Sequence, residues 1–324
     1  MLELRIGKND SGQRLDKFLS KALSGMPFPM IYRLIRQKKI KLNRKRAEPS
    51  SLLSEGDTVL VFAPPRFTER GAGTAPVFPQ SDPDVLYEDE NVLVLFKPEG
   101  MLVHEGDGEK PEGVTLIALV SGYLYRKGEY RPEEENSFAP ALANRIDRNT
   151  SGLVLAAKNA AALRALDEAI RERRVTKKYL CVVHGLPSPS SGSYRGYLLK
   201  NEKTKTVAVF DADPPGGAKE ARTDYRVLSS GKSFSLVEAE LFTGRTHQIR
   251  AQFSHAGHPL LGDGKYGETR EDRKLGYRSQ ALCSYYLRFG DMPEPLAALS
   301  GREVSLPEEK IPFLADYHDR LQKI

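Results

Sequence analysis

The stretch Asn144-Arg145-Ile146-Asp147-Arg148-Asn149-Thr150-Ser151-Gly152 sets one carboxylate between two guanidinium groups. Opposite charge favours the anion, so an Asp held beside arginines stays ionised. An ionised carboxylate can act as a nucleophile or as a base. It can equally do no more than make salt bridges in a loop, and these residues alone favour that plainer reading. The turn-forming run Asn149-Thr150-Ser151-Gly152 leads into Leu153-Val154-Leu155-Ala156-Ala157, an apolar segment short enough for a buried strand.

A second run of candidate residues is Gly244-Arg245-Thr246-His247-Gln248-Ile249-Arg250, which continues to Gly257-His258-Pro259-Leu260-Leu261-Gly262-Asp263. Read as a helix beginning near Thr246, it puts Ile249, Phe253 and Ala256 on an apolar stripe. His247, Arg250 and Ser254 fall on a neighbouring face, and Gly257 suits the C-terminal cap. Three histidines here, His247, His255 and His258, raise the question of zinc. Their spacing is not that of a helical H-E-x-x-H site, Gly257-His258-Pro259 breaks any helix between the last two, and no Cys lies nearby. No metal is expected. His104, taken alone, reads as a hydrogen-bonded structural residue.

What could position these groups? A chain of 324 residues is long enough for two domains, one with a sizeable core. Hydrophobic residues make up 40% and charged residues 28%, which is ordinary for a soluble globular protein. The formal net charge of +6 suits a polyanionic partner. Cys181 and Cys283 are too few for a disulfide framework and fit a reducing cytoplasm. The N-terminus lacks a signal-peptide shape, and no apolar run approaches the ~18 residues of a membrane span.

Residues 1–64 read as a small module. Leu15, Phe18, Leu19, Ala22 and Leu23 share one helical face, and a second helix beginning near Met30 turns Ile31, Leu34 and Ile35 inward. Strand-like pieces follow at 40–42 and 59–62. Arg33, Arg36, Lys38, Lys39, Lys41 and Arg44 belong to a run that no Asp or Glu interrupts. A solvated face is the commonest meaning of such a run, but one-sided charge on a compact scaffold favours a phosphate-contacting surface. Asp16 reads as structural. Residues 65–84, rich in Pro, Gly and polar residues, read as a linker that gives the module freedom to swing.

Residues 85–324 read as a second domain. Strands are expected at 91–96, 153–157, 179–185, 223–228 and 234–241. A helix capped by Asn159 is expected to run to about Arg174, with Arg171, Arg173, Arg174, Lys177 and Lys178 crowding its end, where the helix dipole favours cations. Period two puts Tyr179, Cys181 and Val183 on one strand face. Residues 127–136 are expected to form an exposed loop, and 311–324 a short surface helix.

The run from Arg145 to Gly152 resembles the catalytic motif of the RluA-type RNA pseudouridine synthases, written H-R-L-D-R-x-T-S-G. Asn144 stands where the family usually has His, and Ile146 where it usually has Leu. The G-R-T-H-Q-I-R and G-H-P-L-x-G-D runs resemble further motifs of that family closely, as does the K-P-x-G-x-x-V-H run from Lys97 to His104. Gln13 to Leu19, with 31–36 and 40–43, resembles the S4 RNA-binding domain.

The resemblance implies an α+β fold: an S4-like RNA-binding domain, then a catalytic domain with a mixed, mainly antiparallel central sheet and a cleft. It implies isomerisation of uridine to pseudouridine with Asp147 as the essential catalytic residue. Arg250 pairs with it, Tyr179 lies against the target base, and Arg145 joins them in substrate binding. No cofactor and no metal is implied, because the reaction is a rearrangement. Within the family, the layout and Met30-Ile31-Tyr32-Arg33 resemble bacterial synthases that modify 23S ribosomal RNA. The implied partner is that RNA or a ribosome assembly intermediate, met by a cytoplasmic monomer with no membrane association. Two rival readings are weaker. A non-catalytic RNA-binding protein would have lost Asp147 or Arg250. A carboxylate-dependent glycosidase would want a second acid near the first.

Overall fold

The computed structural model describes residues 1–68, 77–105, 113–267 and 269–324. Two sheets organise it. The first has four antiparallel strands in the order Leu2–Arg5, Thr58–Val61, Ile40–Leu42 and Lys45–Arg46. The helices Leu15–Ala22 and Phe28–Arg36 pack on it through Leu15, Phe18, Leu19, Ile31, Leu34 and Ile35, all buried. Asn43 and Arg44 both have positive φ (49° and 64°). That is the signature of a two-residue hairpin turn of the primed kind, and it projects Arg44 into solvent. Asp16 is structural, as expected: Arg14, Tyr32 and the Lys17 amide all donate to its carboxylate.

The second sheet has eleven strands. Its main path runs Thr206–Phe210, Ser191–Asn201, Lys219–Ser230, Phe234–Leu241, Val175–His184, Leu282–Phe289, Ser151–Ala157, Val92–Lys97, Asp84–Glu88. It is mixed and mainly antiparallel; among the described pairs only Leu282–Phe289 with Ser151–Ala157 is parallel. One face packs the helix Ala160–Arg171 and the C-terminal segment. The other packs the helix Leu116–Arg126 and Gln248–His255. Asn159 caps the first of these helices by accepting from the Ala162 amide at 2.8 Å. That helix ends at Arg171, short of Arg174, because Arg173 adopts φ 61°.

Three expectations need correction. The 311–324 segment is no surface appendage: Leu314–Asp319 is helical, and Ile311, Phe313, Leu314, Tyr317 and Leu321 are buried in the core. Residues 127–136 are the expected loop, mostly exposed, but their end is not free: it joins the two units. Ser137 and Asn136 donate to Asp10 at 2.7 and 2.8 Å, Asn9 donates to Glu135 at 2.6 Å, and the Ala160 amide donates to Asn9 at 3.1 Å. Asp10 is 2% exposed. These bonds hold the first unit against the second, where a free swing was expected. Of the expected linker, Pro65–Thr68 is a helical turn and Phe78 packs on Tyr125 at 5.2 Å between ring centres; 69–76 lie outside the described residues. No described helix is long and apolar enough to cross a membrane.

Candidate active site

Asp147 sits on the loop between the strands Ala141–Leu142 and Ser151–Ala157. Backbone and side-chain bonds fix that loop at both ends. Asn144 Oδ1 accepts from the Leu155 amide at 2.7 Å, and the Thr150 amide donates to the Asp147 carbonyl at 3.0 Å. Thr150 is buried and its hydroxyl accepts from Gln280 at 3.1 Å. Gly152 has φ 124° and crosses the parallel strand so closely that a Cβ would lie 2.3 Å from the Ser284 carbonyl oxygen. Only glycine fits there, which is the physical content of the Thr-Ser-Gly end of the motif.

Lys97 braces the loop from below. Its ammonium is fully buried and donates to the carbonyls of Pro98, Met101 and Arg148, each at 2.9 Å. Burial pulls its pKa down to about 8, against the opposing pull of Asp147 and Glu99.

The arginines flanking Asp147 in sequence do not pair with it. Arg148 turns away and donates to the Gly100 carbonyl. Arg145 is exposed on the cleft wall and has no ion pair with a described residue. The partner comes instead from the helix Gln248–His255: Arg250 Nη1 donates to Asp147 Oδ2 at 2.8 Å. Arg250 is itself held by Asp263, which accepts from its Nε and Nη2 at 2.7 and 2.8 Å. Burial works against the guanidinium charge, but Asp263 and Asp147 raise its pKa beyond the usual value. A buried carboxylate without such a cation would be very costly. Asp147 Oδ1 accepts no hydrogen bond from a described residue.

The helix starts later than its sequence pattern suggests. His247 takes φ 51° and ψ 25°, in the left-handed region, and the helix begins at Gln248. That backbone costs about 1–2 kcal/mol for a residue other than glycine. The result puts His247 Nε2 3.8 Å from Asp147 Oδ2. Ile249 and Phe253 are buried as expected, and Gly257 has φ 83° at the end of the helix.

A cleft of about 880 Å³ opens over Asp147. Tyr179 lines it, 6% exposed, beside Ile146, Ile249 and Leu282. Burial pushes the Tyr179 phenol up to about 12, so it is protonated at neutral pH. Arg145, Arg171, Arg173 and Lys177 line the walls. Period two places Lys177 on the same strand face as Tyr179, and burial lowers its pKa. His104 also lines the cleft and makes no hydrogen bond with a described residue, unlike the structural histidine expected. The two histidines that follow His247 in its motif face elsewhere: His258 meets the His184 carbonyl and His255 meets Asp211.

A model of the RNA pseudouridylate synthase family matches residues 91–255, and an S4 domain model matches 13–59. The chain belongs to the RNA pseudouridylate synthase family. Ribosomal large subunit pseudouridine synthase C of Escherichia coli (strain K12) is 36% identical over 87% of this chain and 85% of its own length. The protein of that name from Pasteurella multocida (strain Pm70) is 34% identical over 88% and 85%. Among solved structures, human RNA Pseudouridylate Synthase Domain Containing 1 superposes with a TM-score of 0.56 at 26% identity, covering 74% of this chain and 89% of that one. The enzyme is thus an RNA pseudouridine synthase with an N-terminal S4 domain.

Some of the residues that build the synthase's site were not visible as such in the sequence. Asp263 closes the G-H-P-L-x-G-D run without a role there; only its pairing with Arg250 reveals one. Lys97 was marked by its motif alone. His247 shared an expected helix face with Arg250, but nothing in the sequence gave it a place beside Asp147.

Proposed function

We propose that this enzyme converts specific uridines of 23S ribosomal RNA to pseudouridine, with Asp147 as the essential residue, as a C-type synthase of the bacterial large subunit. Relatives over most of its length carry the large-subunit name. The observation that carries the role of Asp147 is the one-sided hold on its carboxylate. Oδ2 is fixed by Arg250, while Oδ1 accepts no bond from a described residue in a cleft walled by cations.

The chemistry then runs as follows. The target uridine leaves its stack, at a cost of roughly a few kcal/mol. Arg145 and its neighbours take the phosphates, and the base packs on Tyr179. Stacking is worth on the order of 1–3 kcal/mol, which offsets much of that cost. Oδ1 attacks C1′ or removes a ribose proton; the uracil–ribose C–N bond breaks, the base turns, and a C–C bond forms. As a protonated phenol, Tyr179 serves the base as a platform and donor. To take up the C5 proton it gives its own to the uracil N1, which gains a proton as C5 loses one.

Asp263 does not make this a two-carboxylate glycosidase site. It is fully buried, with both oxygens bonded to Arg250, and cannot present a proton to a leaving group.

In this reading residues 1–64 are the RNA-binding domain, 65–84 the connection and 85–324 the catalytic domain. Arg33, Arg36, Lys38, Lys39, Lys41 and Arg44 contact phosphates. The enzyme works as a cytoplasmic monomer on the ribosomal RNA or an assembly intermediate. The test is Asp147→Asn, which keeps the shape and removes the charge. Pseudouridine formation should vanish while RNA affinity stays within about twofold. Substantial activity in the purified variant would remove Asp147 from its role. Mapping pseudouridine on ribosomal RNA from cells with and without the gene identifies the target.

A further inference from the structure

His247 lies against the reacting carboxylate and has no part in the chemistry proposed for Asp147, Arg250 and Tyr179. Its side chain is 11% exposed, and its Nε2 approaches the same Oδ2 that Arg250 holds, at 3.8 Å. That is about 0.8 Å longer than an ordinary N–H···O bond. Such contacts are often long without substrate and close in the complex.

Its tautomer is set by the other ring nitrogen. His247 Nδ1 lies 2.8 Å from the Tyr266 hydroxyl, and that hydroxyl accepts from the Val207 amide at 2.8 Å. A phenol has one proton to give. If Tyr266 gives it to Nδ1, every group in the chain is satisfied and Nε2 carries the ring's own proton. The opposite arrangement would idle the phenol proton and turn a lone pair from Nε2 toward an anion. Burial, with Arg250 and Lys265 nearby, keeps the ring neutral against the pull of Asp147 and Asp263. His247 carries this ring on a left-handed backbone; strained conformations of this kind cluster at functional sites.

We propose that His247 is a positioning residue for the reaction: its neutral Nε2–H, oriented by Tyr266, closes onto Asp147 Oδ2 when RNA binds and fixes Oδ1 as the reacting oxygen. A neutral donor steadies the carboxylate without adding a second full cation. If Oδ1 bonds to C1′, Oδ2 becomes the carbonyl oxygen of the adduct, and the two donors then stabilise the carboxylate as that C–O bond breaks again. If Oδ1 takes a proton, the same two bonds hold the acid in place to return it. The inference rests on Asp147 being the reacting carboxylate.

Two substitutions separate this role from packing. In His247→Asn the amide can meet Tyr266 where Nδ1 did but cannot reach Asp147. In His247→Gln the amide nitrogen can stand where Nε2 stood. Single-turnover rates on a ribosomal RNA fragment, RNA affinity and thermal midpoint are measured for both, with Asp147→Asn alongside. The expected result is a loss on the order of tenfold or more in His247→Asn, with affinity and midpoint near the parent, and a rate within about threefold of the parent in His247→Gln. A fast Asn variant, or equal loss in both, would overturn the proposal. Turnover by Asp147→Asn would instead overturn the underlying role of Asp147.

Discussion

Asn144, where this chain departs from its family's usual His, allows a sharp test of what that position does. Its Oδ1 accepts from the Leu155 amide at 2.7 Å, on a strand residue that is fully buried. No bond or ion pair joins it to the Asp147 carboxylate. Asn144→Ala therefore leaves a buried N–H without a partner, which costs about 1–3 kcal/mol. For a unit of this size each kcal/mol lowers the midpoint by about 2–4 °C. An imidazole nitrogen can also accept from that amide, so Asn144→His should keep nearly all the stability. Turnover should change little in either variant, because Lys97, the Thr150 amide and Gly100 still hold the loop. Urea unfolding and single-turnover rates across pH, for all three forms, make the measurement. An Ala variant as stable as the parent would refute the hydrogen-bond role. A tenfold or larger gain in the His variant, with a new ionisation near the ordinary histidine range, would mean that the position takes part in the chemistry.

Other perturbations reach other parts of the molecule. Changing Arg33 and Arg36 together to Ala should weaken binding to ribosomal RNA and reduce the slope of log affinity against log salt by roughly 1.5–2; an unchanged slope would show that these residues face no phosphate. Lys97, pulled down to about 8, should lose its proton above that pH, freeing the Arg148 carbonyl and lowering activity. The stability effect has the opposite sign. The unfolded chain binds more protons here than the native one from about pH 8 up to the ordinary lysine range, so this group favours folding as pH rises. An alkaline activity limb that survives in Lys97→Met would assign it to another group. Gly152→Ala should destabilise the catalytic unit by about 3 kcal/mol or more, through the clash with Ser284 and the positive φ; a midpoint within 2 °C of the parent, read by calorimetry, would contradict the close crossing.

How much of this could be read from the residues? The local pattern was sufficient for the helices of the first unit, because Leu15, Phe18 and Leu19, then Ile31, Leu34 and Ile35, repeat with the helical period and are buried as that period requires. The 153–157 part of the Ser151–Ala157 strand was equally legible, since it is buried on both faces and apolar throughout. The Asp147–Arg250 pair was not readable from spacing, for its members lie far apart in sequence, and the neighbouring arginines pointed to the wrong partners. Resemblance supplied what periodicity could not. The start of the helix at Gln248 was missed because a left-handed turn at His247 has no hydropathy signature. The bonds around Asp10 were hidden for a similar reason: polar side chains that satisfy one another across two units look like ordinary surface residues in the chain.

The burial of the C-terminal segment has a consequence for the order in which the enzyme is made. Tyr317 is fully buried and donates to the Ser229 carbonyl, and Leu314 and Leu321 fill the same core as Val92 and Leu155. Part of that core is therefore synthesised early and part of it much later. The first unit, with its local contacts, can fold while translation continues. The large sheet must wait, with the part of one apolar face that the helix Ala160–Arg171 does not cover left open, until residues 311–321 have left the ribosome. During that interval the nascent chain is at its most exposed to chaperones and to aggregation. A truncation that removes this segment would prolong the interval indefinitely, and would be felt in the yield of folded enzyme before it was felt at Asp147.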